Sequence, residues 1–153
     1  MPGKDRPAAF WIFVVFFALS IVLLLMGQTI SVFNYDLTVR FGLQESPEQV
    51  STFGVQVNRA LGAADTVVYI PLLIVSLVGL WMKKRWSLLT TAAAVGVSAY
   101  WSINVSFLFL FLPGTSGYSH RPGPEIWSFV GAYIVFGVWG ILYLIFRGEK
   151  LLK

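Results

Sequence analysis

Four long apolar segments, separated by short polar ones, dominate the pattern of the chain. A helix needs about 20 mostly apolar residues to cross the roughly 30 Å hydrocarbon core of a bilayer. Four segments reach that length, at residues 10–32, 61–82, 86–112 and 126–146. The pattern predicts an all-α membrane protein: one integral membrane domain over residues 1–153, built as a four-transmembrane-helix antiparallel bundle.

Two polar connections, residues 33–59 and 113–125, are long enough to carry structure, and both belong to the predicted outer side. In the first, Ser46 suits a helix N-cap, Pro47 the first helical position and Gln49 the third position of a capping box. Apolar residues then recur at three- and four-residue steps, at Val50, Phe53, Val57, Leu61 and Ala64. We therefore predict an extra amphipathic helix in the first outer loop.

Composition supports a membrane location and narrows the chemistry. The chain is 57% hydrophobic and 12% charged, whereas soluble domains carry about 25% charged residues. It has no cysteine, which excludes disulfides and thiol chemistry. His120 is the only histidine, and we expect it to be a solvated loop residue. With so few soft or nitrogen ligands we predict no metal site and no cofactor.

The basic residues predict how the chain is oriented. If the N-terminus is cytoplasmic, only three basic residues lie outside, Arg40, Arg59 and Arg121. Eight lie inside, namely Lys4, Arg6, Lys83, Lys84, Arg85, Arg147, Lys150 and Lys153. This bias predicts a multi-pass protein of the cell (inner or plasma) membrane with both termini cytoplasmic. Because these residues lie at span ends rather than in one basic run, nucleic acid is not a predicted partner.

One acid, Asp65, lies inside the second span, in the stretch GAADTVVYIP. A carboxylate at the bilayer centre costs about 2.5–3.5 kcal/mol on insertion scales. Asn58, Asp65, Tyr69 and Ser76 follow at spacings of seven, four and seven, which places them on one helix face. Polar residues in spans usually face other helices or a wet cavity, so this face is predicted to point into the bundle.

Other polar and aromatic side chains occur at a similar depth in the remaining spans. Together they predict a polar cavity in the outer half of the bundle. The candidate ligand-binding residues are Asp65, Tyr69, Asn104, Trp101, Asn58, Tyr100, Tyr133, Gln28 and Glu125.

Purely structural interpretations stand beside this one. Asp65 is equally explained as a structural residue that Tyr69, Asn104 or Arg59 satisfies. Asn104 by itself is typical of an amide that joins two helices. No catalytic motif is present, so no catalytic residue is predicted.

A resemblance to a known family occurs at NRALGAADTVVYIPLL. The stretch is similar to the second-span region of the small four-span glutathione and eicosanoid enzymes. Arg59, Ala60, Asp65 and Pro71 follow that order with wider spacing, and Ala63 stands where the family has asparagine. The resemblance implies a membrane enzyme acting on a lipid or with glutathione. It also implies a cytoplasmic first loop, which is opposite to the charge bias.

Three classes of function follow. The first is a non-enzymatic protein that binds a lipid or small amphiphile around Asp65, or that acts as an accessory subunit. The second is an oligomeric small-molecule or ion transporter with Asp65 as its proton or cation site. The third is a four-span lipid-modifying or glutathione-transferase-like enzyme. The predicted partners are membrane lipids, an amphiphilic ligand, and further copies of the chain or a larger membrane complex.

Overall fold

Helices are the regular elements of the computed structural model, which describes residues 6–153, and no strand occurs in that range. Four helical segments are long and apolar enough to cross a membrane: α1 (Ala8–Phe33), α3 (Pro47–Trp81), α4 (Trp86–Phe111) and α5 (Pro124–Leu152). A short helix, α2 (Tyr35–Arg40), lies between the first two. The prediction of an all-helical, multi-pass membrane chain is therefore confirmed. Lys4, which entered the charge argument, lies outside the described residues.

Helix α3 begins at Pro47 and includes both the last part of the first connection and the second apolar segment. The Ser46 backbone N–H donates to Gln49 Oε1 at 2.8 Å, and Pro47 is the first residue of α3. The segment then runs for 35 residues, which is about 52 Å at 1.5 Å per residue. It is not straight, since Ser51 has φ 62° and ψ 168°.

The core is formed by α1 against α3, α3 against α4, and α4 against α5. Phe13 and Phe17 of α1 and Leu73 of α3 are fully buried. A Cβ added at Gly137 of α5 would lie 2.8 Å from the Ala99 Cβ of α4, so these two helices approach too closely for a larger residue. Small residues therefore set the spacing of these helices, as expected for spans that gain little from hydrophobic burial against lipid.

Apolar side chains also cover the outward faces of the long helices. Val67, Leu89 and Phe146 are all at least 70% exposed. A lipid environment accepts such faces, because the helical backbone satisfies its own hydrogen bonds. At the Lys83–Arg85 end, the Arg6 guanidinium donates to the Trp81 backbone oxygen at 2.8 Å and so caps the end of α3.

Candidate functional site

A cavity of about 650 Å³ lies among the helix ends that adjoin the two longer connections. The end of α1, the first half of α3, the end of α4 and the start of α5 form its walls, together with residues 39–49. Small-molecule sites commonly have volumes of about 300–1,000 Å³. Most of the lining is apolar, and its polar members are Gln28, Gln44, Glu45, Gln49, Asn58, Tyr69, Trp101, His120, Glu125 and Tyr133.

The structure brings together six of the nine residues predicted for the site. These six line the cavity: Gln28, Asn58, Tyr69, Trp101, Glu125 and Tyr133. Asp65 is buried but does not line it. Tyr100 is 72% exposed, Asn104 is also exposed, and neither lines the cavity. The cavity is therefore lined by Tyr69, Tyr133 and residues of the two connecting segments, and not by Asp65.

A hydrogen-bonded cluster around Glu45 lies at the loop side of the cavity. Asn58 Nδ2 donates to Glu45 Oε2 at 2.9 Å and to the Tyr35 hydroxyl at 3.1 Å. That hydroxyl donates to the Glu45 backbone oxygen at 2.9 Å. Burial raises the pKa of Tyr35, the hydrogen bond from Asn58 opposes this, and the nearby Glu45 carboxylate adds to it. The cluster holds one carboxylate in a defined place.

His120 belongs to the same region, and the prediction of a solvated histidine was wrong. Its side chain is only 10% exposed and lines the cavity. Its Nε2 lies 3.7 Å from Glu45 Oε1, and neither ring nitrogen has a hydrogen-bond partner within the described part of the chain. The burial arises because the second loop folds back on α3, where the backbone N–H groups of Ser119 and His120 both donate to the Gln49 backbone oxygen. Contact between such distant segments has no local sequence signal.

Two π-helical turns face one another beside the cavity. Leu25–Thr29 interrupts α1, Asp65–Tyr69 interrupts α3, and the two turns are in contact. The Thr29 and Thr66 hydroxyl oxygens are 2.9 Å apart. Single π-turns are rare within α-helices, and those that do occur are often found at functional sites. The hydrophobic pattern did not predict them, because one inserted residue barely changes an apolar run.

Asp65 begins the second π-turn, and its Oδ2 atom has no hydrogen-bond partner among the described residues 6–153. The residue is 7% exposed, and Oδ2 itself is buried. Arg59 donates instead to the Val32 backbone oxygen at 2.9 Å, and the Tyr69 hydroxyl bonds to Ser98. Since Oδ2 has no hydrogen bond among residues 6–153, Asn104 does not satisfy that atom either. The structural interpretation, in which Tyr69, Asn104 or Arg59 satisfies Asp65, therefore does not hold for the Oδ2 atom.

Two hydroxyl pairs hold the deeper part of the cavity. Ser20 and Tyr133 join α1 to α5 at 2.8 Å, and Tyr69 and Ser98 join α3 to α4. Both tyrosines line the cavity, and each of their hydroxyls is already hydrogen-bonded to a serine hydroxyl. Each therefore presents chiefly its ring to a ligand.

Comparisons with known proteins add no independent assignment. No protein-family model matches the chain, and no curated protein or solved structure is similar to it. Within residues 6–153, no three His, Asp or Glu side chains lie together as a metal site would require. The geometry of the cavity is therefore the basis for the functional proposal.

Proposed function

We propose that the cavity binds a lipid or another small amphiphile. The observation that carries this proposal is the mixed lining of one 650 Å³ space, which is mostly apolar but includes carboxyl, amide and imidazole groups from the loop segments and adjoining helices. Leu24, Val105 and Val130 contribute to the apolar part. Glu45 and His120 belong to the loop segments that line the same space. An amphiphile matches both kinds of lining at once, because its tail displaces poorly bound water and its head group finds hydrogen-bonding partners.

We propose further that the chain is an antiparallel four-span bundle with both termini cytoplasmic, in the cell membrane. The first turns of α3 then extend beyond the hydrocarbon core as the amphipathic helix of the outer loop, and the cavity faces outward. The excess of basic residues at the opposite helix ends supports this arrangement. So does the length of α3, about 52 Å against a core of about 30 Å.

Single cysteines test the orientation directly, because the chain has none of its own. Both Ser119 and Lys84 are exposed. A membrane-impermeant maleimide is expected to label Ser119→Cys in intact cells, and to label Lys84→Cys only after permeabilisation. The reverse pattern would exclude an outward-facing cavity.

Native mass spectrometry of the purified protein tests binding and counts subunits in the same spectrum. Val105 lines the cavity, whereas Ile103 on the same helix is 40% exposed and does not line it. We expect the parent and Ile103→Trp to retain an amphiphile and Val105→Trp to lose it, because the indole fills the space. Equal retention by the two tryptophan variants would show that the amphiphile binds elsewhere.

An oligomeric transporter is the second candidate, favoured by the buried, unpartnered Asp65 at the paired π-turns. Intramembrane acids without a structural partner are typical of proton and cation sites. This candidate requires an oligomer, since four spans seldom enclose a pathway alone. A strict monomer in the same mass spectra would contradict it. An enzyme with Asp65 as acid or base is less well supported, because Asp65 does not line the cavity.

A further inference from the structure

We infer that the amphiphile bound in this cavity carries a cationic ammonium head group; this inference rests on the proposed function. Two carboxylate residues, Glu45 and Glu125, line the cavity. No lysine or arginine is among the described residues that line it. The charge of the wall is therefore negative, and an anionic head group would have no basic side chain to balance it.

The basic residues of the neighbouring segments are directed elsewhere. Arg59, one residue after the lining Asn58, donates to the Val32 backbone oxygen at 2.9 Å and to Gln56. Arg40 and Arg121 are exposed and do not line the cavity.

The two carboxylates also lack strong ionic partners. In the part of the chain that the structure describes, the one basic side chain within 4 Å of the Glu45 carboxylate is the His120 imidazole, at 3.7 Å, which carries a charge only when protonated, and Glu125 has no such contact. The Glu45 side chain is 24% exposed, and a half-buried carboxylate without a counter-charge is costly, so a bound cation would supply what the protein does not. Glu125 is exposed and adds negative charge to the lining.

His120 points independently to a ligand. Its side chain is nine-tenths buried, it lines the cavity, and neither ring nitrogen is hydrogen-bonded to any residue from 6 to 153. A neutral imidazole has one acceptor nitrogen. That nitrogen, together with the Glu45 carboxylate beside it, provides two acceptors for the N–H groups of an ammonium ion.

Aromatic rings complete the environment that a cation prefers. Trp101, Phe109, Phe129 and Tyr133 line the same cavity, and the Trp101 and Tyr133 ring centroids are 6.0 Å apart. Ring faces attract ammonium groups, by about 0.5–2 kcal/mol for each contact depending on desolvation. Carboxylates and rings therefore select the same sign of charge.

This chemistry has two sources: a free long-chain amine, and a phospholipid whose head group ends in a primary ammonium. Binding of dodecylamine and of sodium dodecanoate to the full chain in a neutral maltoside detergent compares the two charges on similar tails. We expect dodecylamine to bind at least about tenfold more tightly, which corresponds to about 1.4 kcal/mol. Equal binding, or preference for dodecanoate, would overturn the cationic inference while leaving the binding of amphiphiles intact.

Matched glutamate variants locate the selectivity. Glu45→Gln and Glu125→Gln are each expected to reduce the preference for dodecylamine. Glu48→Gln is the control, because Glu48 is exposed near the start of the same helix as Asn58 and does not line the cavity. Glu125 is exposed and has no salt bridge with any residue from 6 to 153, so its variant remains informative if Glu45→Gln is unstable. An unchanged preference in both variants would overturn the inference.

Nanodiscs distinguish the two sources. Protein transferred from an equal mixture of phosphatidylethanolamine and phosphatidylglycerol is expected to retain phosphatidylethanolamine if the ligand is a membrane lipid. Retention of neither lipid, with tight binding of dodecylamine, identifies a free amine. Retention of phosphatidylglycerol would overturn the cationic inference. Failure of every amphiphile to bind, in parent and Val105→Trp alike, would instead overturn the proposed function.

Discussion

Replacement of Asp65 by alanine separates a structural acid from a functional one. The large majority of buried side-chain polar atoms in folded proteins are hydrogen-bonded. Asp65 is 7% exposed and its Oδ2 has no partner. The fold therefore gains nothing from this atom and bears the cost of removing it from water.

The expected change follows from two opposing contributions. Leaving a buried polar atom unsatisfied costs about 1–3 kcal/mol, and this cost disappears in Asp65→Ala. The void left by a carboxyl group costs about 1 kcal/mol at about 24 cal/mol per Å³. We expect the variant to be as stable as the parent or up to about 2 kcal/mol more stable.

Tyr133→Phe is the matched control, because it removes a hydroxyl that does have a partner. The Tyr133 and Ser20 oxygens are 2.8 Å apart across two helices. Its loss leaves the serine unsatisfied and is expected to cost about 0.5–1.5 kcal/mol.

Unfolding in mixed detergent micelles, followed by far-ultraviolet circular dichroism, measures both variants against the parent. The two changes should have opposite signs, or Asp65→Ala should be neutral. If Asp65→Ala instead lost more than about 1 kcal/mol, on the scale of a satisfied buried group, the carboxyl would be part of the framework. Retained stability with lost ligand binding or transport would identify a group kept for function.

Three further changes test the helix packing, the loop cluster and the end of α3. Gly137→Ala is expected to cost about 1–3 kcal/mol by overpacking, whereas Gly131→Ala, with no atom within 4 Å of the added Cβ, should be neutral or stabilising in the same unfolding assay. Burial raises the pKa of Tyr35, so the free energy of unfolding should decrease as the pH rises above about 10, the ordinary tyrosine value. The decrease should be smaller in Tyr35→Phe, and the same pH dependence in parent and variant would contradict this. Arg6→Leu removes two hydrogen bonds to backbone oxygens at the end of α3 and should cost about 1–3 kcal/mol, while Arg6→Lys recovers part of the loss.

Part of the cavity was predictable because it depends on helix ends at known depths. Gln28, Trp101 and Tyr133 were placed together from their distance to the ends of apolar segments, and all three line the cavity. The same reasoning treated Tyr100 as a neighbour of Trp101, yet Tyr100 is 72% exposed. The depth of a residue along a span follows from counting residues. The direction of its side chain depends on how the helix is rotated about its axis, and a helix that is apolar on all sides gives no sequence signal for that rotation.

The sequence by itself determined four apolar helical segments and the start of α3 at Pro47, since both follow from local chemistry: the length of an apolar run and the residues that cap a helix. Only the tertiary structure decided that His120 is buried beside Glu45, that two π-turns meet at Asp65, and that Asp65 lies outside the cavity wall. These features depend on contacts between segments far apart in the chain. Many arrangements of four apolar helices are compatible with the membrane, and packing between particular side chains determines which arrangement forms.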